Sequence, residues 1–202
     1  MANSFHERLK NRRYEQKKKA IAIVGIALLL IFAAAGVIKT DIFQKKYIYP
    51  YPHKEIVDQY AASYGVENAL VAGVIMSESK FQKEVHSPRG AIGLMQLMPD
   101  TAKWIAEQID DSYDMEKLHE PDTNIRFGTW YLSSLEKEFK GNEVLVLAAY
   151  NAGRGTVHSW MQEYGWDDSF GDVDRIPYAE TREYVIRVLK NRENYQKLYD
   201  GK

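Results

Sequence analysis

The sequence predicts a mainly α-helical outer domain behind a single N-terminal transmembrane helix. Three observations carry that reading. Residues 20–38 form an apolar block without one charged side chain. From Lys54 onward apolar residues recur at helical spacing, and no run alternates convincingly with period two. The net charge of −1 divides unevenly: +5 over residues 1–19, zero over 20–38 and −6 over 39–202. A basic tail, an uncharged block and an acidic domain are three physically different objects.

The block AIAIVGIALLLIFAAAGVI would extend about 28 Å as a helix, close to the hydrocarbon thickness of a bilayer. It is apolar all round, and no other segment offers enough apolar surface to enclose it as a core helix. Seven Lys or Arg precede it, with Lys17, Lys18 and Lys19 abutting it. The positive-inside bias then makes 1–19 a cytoplasmic tail and puts 39–202 outside the membrane. The rival reading is a cleaved signal peptide with a processing site at Ala33–Ala35. Its apolar region would exceed the about 7–15 residues of cleaved signals, which favours an uncleaved anchor in membrane lipid. A basic tail beside a span is a topology signal that also meets anionic lipid, so no nucleic-acid partner is expected.

Residues 39–53 hold Tyr47, Tyr49, Tyr51, Pro50 and Pro52 and read as an extended stalk, with the tyrosines at headgroup level. The domain proper is expected over 54–202. Residues 54–64 carry Ile56, Val57, Tyr60, Ala61 and Tyr64 and stop at Gly65. Residues 68–79 are apolar on nearly every side until their end, the mark of a central buried helix. Pro99 opens a helix with Ala102, Ile105, Ala106 and Ile109 inward. Residues 123–139 and 142–150 continue the pattern, the latter stopped by Gly153 and Gly155, and 181–199 sets Tyr184, Val185, Val188 and Leu189 on one face. Loops are expected at 80–98 and 154–178, the second long and acidic.

Apolar residues at 45 % and charged residues at 27 % exclude a disordered or low-complexity chain. The absence of cysteine excludes disulfides, thiolate metal sites and a cysteine nucleophile. Ser77-Glu78-Ser79-Lys80 fits an S-x-x-K pattern but lacks its S-D-N and K-T-G partners. Five scattered histidines form no H-E-x-x-H, no calcium-loop pattern occurs, and Gly153 with Gly155 completes no nucleotide loop. No metal or cofactor is therefore expected.

What remains is Glu78, a carboxylate at the C-terminal end of the most apolar helix, beside Ile75 and Met76. The negative end of the helix dipole and the apolar surroundings both disfavour its charged form. A carboxylic acid protonated near neutrality suits proton donation to a glycosidic oxygen. Read alone, Glu78 also fits a surface ion pair with Lys80 or Lys83, and such pairs are common. Ser87 and Gln96 offer hydrogen-bonding groups suited to sugar hydroxyls and acetamides, in a segment that also fits a plain connecting loop. Asn151 equally fits a helix cap.

Taken together, MSESKF (76–81), SPRGAIGLMQLMPDTA (87–102), AAYNAGRGTV (148–157) and IPYAETREYVIRVL (176–189) resemble the four consecutive motifs of the lytic transglycosylases. These are the soluble-lytic-transglycosylase (SLT) type, with a goose-lysozyme-like helical domain. Order and spacing agree, Gln96 following Glu78 by eighteen residues, and PDTNIRFGTWYL (121–132) is similar to the intervening helix. The resemblance covers about residues 54–202. Two features depart from it: the large Trp104 on a usually plainer helix, and the acidic stretch 165–174.

The resemblance implies a peptidoglycan glycan strand as substrate, cut between N-acetylmuramic acid and N-acetylglucosamine without net addition of water. It implies Glu78 as the single acid/base and a 1,6-anhydromuramyl product. Ser87 and Gln96 would hold the glycan, Tyr150 would position the acetamide or reacting sugar, and Asn151 would support the site. Tyr178 and Glu180 would line it, and Leu94 and Met95 would wall the cleft. Glu180 fits helix capping as well. Three functions stay open: the anchored lytic enzyme, a hydrolytic muramidase on the same fold, and a non-catalytic glycan-binding protein.

Overall fold

The computed structural model describes Ala2–Gly201; Met1 and Lys202, the ends of the expected tail and domain, lie outside the described residues. The chain divides into two units, Met1–Pro50 and Tyr51–Lys202.

The first unit is dominated by α1 (Ala2–Ile38), one uninterrupted helix through the basic tail and the apolar block. Glu15–Ile38 is long and apolar enough to cross a membrane. Ile21, Leu29 and Phe32 are all exposed, so no protein core accounts for their apolarity. The extended-stalk expectation needs correction. A short helix α2 (Asp41–Phe43) and a π-helical turn (Gln44–Ile48) occupy most of the segment. Thr40 caps α2, its Oγ1 accepting from the Phe43 N–H. The chain leaves helical geometry at Thr40, which is extended, and again near Pro50 and Pro52, where proline removes donors.

Among the described residues the second unit is helical and contains no strand, only isolated bridges pairing His86 with Ile92 and Ile92 with Leu97. It begins earlier than Lys54. The Tyr51 ring packs edge-on against Tyr195 at 5.2 Å, Tyr199 at 5.1 Å and Phe81 at 6.0 Å, so this tyrosine belongs to the folded unit rather than the headgroup layer.

Helices α3 (Lys54–Tyr64), α4 (Asn68–Glu78), α5 (Pro99–Gln108) and α6 (Pro121–Glu138) follow the expected spans within two residues. So does α7 (Glu143–Ala152), capped by Asn142, whose side chain accepts from the Leu145 N–H at 3.0 Å. Central α4 buries every residue from Ala69 to Ile75, as its uniform apolarity requires. It lies hard against α9 (Ala179–Tyr195), which is why position 73 is glycine. A Cβ there would stand 2.9 Å from the Arg192 backbone nitrogen and 3.1 Å from the Val188 carbonyl oxygen.

The expectation of a loop over 154–178 is overturned in its first half. Arg154–Tyr164 forms α8, burying Val157 and Trp160 and ending at Gly165. Gly153, at φ 91°, stops α7 and starts α8 without any intervening loop. The acidic stretch beyond it is anchored. Trp166 stacks on Phe170 at 3.8 Å, and the Asn142 amide donates to the Asp168 and Phe170 carbonyls. The last helix begins at Ala179, two residues before the expected start, and a π-helical turn (Gln196–Asp200) follows it.

Candidate active site

The first ring of the site is built where α4 stops. Ser79 caps the helix outside helical geometry, and Lys80 and Phe81 both take positive φ, turning the chain sharply away. Glu78 is thereby left at the helix end, half-buried, facing a cavity of about 390 Å³. Ser87, Arg89, Gln96, Tyr150, Asn151 and Glu180 join it around that cavity. Residues from four separate stretches of sequence thus converge on one carboxyl.

The segment between α4 and α5 is held by a buried asparagine on α6. Asn124 is fully buried; its Oδ1 accepts from the Met95 N–H at 2.7 Å, and its Nδ2 donates to the Ile92 and Leu118 carbonyls. Gly93 sits at φ 80°, and a Cβ there would stand 2.4 Å from the Asn124 amide nitrogen. Only glycine meets both constraints. Gln96, also at positive φ, donates from Nε2 to the Val85 and Gly93 carbonyls at 3.0 and 2.8 Å. Ser87 Oγ accepts from the Ala91 N–H at 3.0 Å.

Those bonds define what the cavity still offers. Gln96 has spent its donors inward and keeps its carbonyl as an acceptor. Ser87 keeps its hydroxyl proton. The Tyr150 hydroxyl donates to the Met95 carbonyl at 2.9 Å, leaving its oxygen as an acceptor. Asn151 Oδ1 accepts from the Thr181 hydroxyl at 2.9 Å, which leaves its amide as a donor. Paired donors and acceptors of this kind match hydroxyls and acetamides, which need both.

Glu78 is the electrostatic anomaly. Burial pushes its carboxyl up from 4.5 to about 7. The Tyr184 phenol and the Arg187 guanidinium pull it down, while the neighbouring Glu180 carboxylate pushes it further up. Tyr150 and Tyr184 are themselves raised well above the usual phenol range, first by burial and then by Glu78. Both phenols therefore stay protonated and neutral beside the acid. The Tyr184 hydroxyl has no partner at regular hydrogen-bond geometry, so its contact with Glu78 is loose. Such contacts tighten when a ligand fills a site.

The expected residues divide into two groups. Glu78, Ser87, Gln96, Tyr150, Asn151 and Glu180 come together at the cavity. Leu94 and Met95 are fully buried behind it, and Met95 contributes backbone groups rather than a cleft wall. Tyr178 is exposed beside Trp160, 5.0 Å ring to ring, outside the cavity lining. Glu180 reaches Arg89 at 3.4 Å, a solvent-exposed pair of small energetic weight. Tyr184 and Asn124 also belong to the site, and nothing in the sequence marks either as a site residue. Tyr184 is legible only as a core residue of α9, and Asn124 carries no signal beyond being polar on an otherwise apolar helix face.

Comparison with known proteins agrees with this geometry. The family model for the transglycosylase SLT domain matches residues 55–171. The soluble lytic murein transglycosylase of Salmonella typhimurium is 36 % identical over 144 residues, covering 70 % of this chain and 22 % of the relative. Membrane-bound lytic murein transglycosylase C of Actinobacillus pleuropneumoniae is 30 % identical over 166 residues, covering 69 % of this chain and 44 % of the relative. Among solved structures, the 70-kDa soluble lytic transglycosylase of Escherichia coli superposes with a TM-score of 0.69 at 31 % identity, covering 77 % of this chain and 25 % of that one. An inactive mutant of the lytic transglycosylase Slt from Pseudomonas aeruginosa gives 0.67 at 33 % identity, covering 77 % of this chain and 26 % of that one. The chain thus spans about a quarter of the soluble relatives it matches. With more than half its length matched and the motif residues gathered around one carboxyl, the chain belongs to the SLT-domain lytic transglycosylase family.

Proposed function

We propose that the protein is a membrane-anchored peptidoglycan lytic transglycosylase. The observation that carries the reading is Glu78: one carboxyl with its pKa raised to about 7, at the end of a buried helix, facing a cavity rich in sugar-type hydrogen-bonding groups. A group half-protonated near neutral pH serves both as acid and as base.

Ordinary glycosidases use two carboxyl groups. Here Glu78 protonates the oxygen between N-acetylmuramic acid and N-acetylglucosamine, and the C1–O bond breaks. The resulting carboxylate then takes the proton of the muramyl 6-hydroxyl as that oxygen bonds to C1, with the substrate acetamide stabilising the cationic carbon meanwhile. The proton that leaves Glu78 in the first step returns in the second, so the enzyme ends as it began. Ring closure within one sugar gains from high effective molarity, which removes the need for an activated water. Ser87, Gln96, Tyr150 and Asn151 hold the glycan with the donors and acceptors left free above. Glu180 sits at the rim and supports the acid form of Glu78.

In the same proposal α1 anchors the protein in lipid through residues 20–38, with 1–19 cytoplasmic, 39–53 a linker and the catalytic domain outside. A reporter fused after Lys202 is expected to work only if it functions outside the membrane; activity of a cytoplasm-only reporter reverses the orientation. A soluble product beginning near Gly36 would favour cleavage.

The chemical test uses the full chain in detergent and purified peptidoglycan, with mass spectrometry of the released fragments. Wild type is expected to give anhydromuropeptides, one water lighter than hydrolytic products. Glu78→Gln, still folded, is expected to lose at least the roughly 10²–10⁴-fold typical of general acid–base catalysis. Hydrated products would make the protein a muramidase, and near wild-type rates for Glu78→Gln would remove Glu78 from the chemistry.

A further inference from the structure

Two non-glycine residues at positive φ follow the end of α4. Lys80 and Phe81, at φ 51° and 62°, form the centre of a turn in which the Gln82 N–H donates to the Ser79 carbonyl at 3.0 Å. Such a turn ordinarily takes glycine or asparagine at both central positions, because other side chains are strained there. Something outside the turn therefore holds it. We propose that Tyr51 is a positioning residue for Glu78: its ring walls in Phe81, and Phe81 pins the turn that ends α4. This rests on the glycan-cleaving reading, in which Glu78 is the acid.

The aromatic packing is the first argument. Lys80 is exposed, so the hold falls on Phe81, which is buried. The Phe81 ring lies 6.0 Å from Tyr51 and 6.0 Å from Tyr195. Burying one phenylalanine ring gains about as much as two strained residues cost, so the balance turns on how completely Phe81 is covered. Tyr195 is fixed by its place on α9. Tyr51 stands between Pro50 and Pro52, which restrict the backbone on both sides of it. Its hydroxyl donates to the Asn68 carbonyl at 3.3 Å, and the Lys54 ammonium lies 5.7 Å from its ring centroid. The ring is therefore a fixed wall rather than a mobile cover. One side chain touches the first residue of α4 and the turn just past its last.

What the turn does for the acid is the second. Ser79 leaves helical geometry and the turn carries the chain away, so Glu78 ends α4 facing the cavity. Burial is the largest influence on its carboxyl and pushes it up to about 7. From α9 the Tyr184 phenol, the Arg187 guanidinium and the Glu180 carboxylate face Glu78, and from α7 the Tyr150 phenol does. None of these four belongs to the aromatic cluster around Tyr51. Loss of the Tyr51 ring lets the turn relax and water reach the end of α4, while those four neighbours stay in place. The carboxyl then falls toward its ordinary value, and less of it is protonated at neutral pH.

The test uses full-length protein in detergent with purified peptidoglycan. Tyr51→Ala is expected to move the alkaline limb of kcat by about one unit to lower pH. At pH 7 kcat should fall about fivefold, as the protonated share of Glu78 drops from about half to about a tenth. KM should hold, because Ser87, Gln96, Tyr150 and Asn151 keep their places. Tyr51→Phe retains the ring and should match wild type. Lys80→Gly removes the strain at that position of the turn. Added to Tyr51→Ala, it should restore the limb and kcat, a rescue that general loss of stability does not allow. Should Tyr51→Ala fail to fold, Tyr51→Leu, which keeps bulk but not the flat ring, carries the test. The Glu78 titration is also read without turnover, by carbon NMR of labelled glutamate carboxyls, with Glu78→Gln identifying the signal. It should fall with Tyr51→Ala and recover with Lys80→Gly. A folded Tyr51→Ala protein with the wild-type limb and titration overturns the proposal, and so does a loss that Lys80→Gly leaves unrelieved. A wild type that cleaves nothing refutes the glycan-cleaving reading, while a Glu78 titration that still moves with Tyr51 upholds the link between the two residues.

Discussion

Glu78→Gln should stabilise this protein at alkaline pH even as it abolishes turnover. Burial holds the native carboxyl near 7, against 4.5 for the ordinary group. Each unit of that difference is worth about 1.4 kcal/mol. Between the two values the folded state binds more protons than the unfolded one, so wild-type stability falls as pH rises through that window. Below about 4.5 the group is neutral in both states and the penalty is absent. Above about 7 it is fully present and amounts to ~3 kcal/mol. This is an upper bound, because the side chain keeps an opening to solvent at the cavity. Glutamine has nearly the same shape and no charge to bury, so the variant escapes the penalty.

The measurement is thermal unfolding of both proteins, full-length in detergent, across pH 4 to 8. Any fixed difference in packing between the two side chains is independent of pH and cancels in the comparison. The midpoint of the variant should move ahead of wild type by about 6–12 °C on going from the acid to the alkaline end, at 2–4 °C per kcal/mol for a domain of this size. A pH-independent gap would refute the reasoning, since Glu78 would then titrate alike in both states. A gap that shrinks with rising pH would mean that the native site prefers the carboxylate, as in an ordinary ion pair.

The neighbours of Glu78 supply further tests. Tyr184→Phe removes a group that pulls the carboxyl down and Glu180→Gln one that pushes it up, so the alkaline limb of the activity profile should move to higher pH in the first and lower pH in the second. Movement in the same direction would contradict the assignment of those contacts. Asn124→Ala strands the Met95 N–H and the Leu118 carbonyl, while the Ile92 carbonyl keeps the Leu97 N–H. At about 1–3 kcal/mol for each unsatisfied buried group, denaturant titration should show a loss of at least about 2 kcal/mol. Gly93→Ala should be comparably harmful, through the clash with Asn124 and its φ of 80°; wild-type stability for either would mean that the loop is not held as described.

How far the sequence foretells this site depends on the range of the interactions involved. Helix α4 is legible because its signal is local: every residue from Ala69 to Ile75 is buried, and seven consecutive small or apolar side chains announce it. Glu78 inherits its environment from that helix, so the direction of its pKa follows from position alone. Helix α8 is not legible because Gly153, just before it, and Gly155, within it, stand where loop residues usually do, while its buried apolar stripe reduces to Val157 and Trp160. Its start is set by the geometry of Gly153, which composition does not record. The same limit governs Leu94 and Met95. Their apolarity fits a cleft wall and a core equally well, and the Asn124 bond to the Met95 N–H, across 29 residues, turns them inward. Tyr184 shows the limit most clearly. Its spacing places it on the buried face of α9, and it is buried. That this phenol ends beside Glu78 depends on α9 crossing α4 closely enough to require glycine at 73, a contact between residues more than a hundred positions apart. The acid is therefore readable from its own helix, whereas the groups that tune it become visible only once two distant helices are packed together.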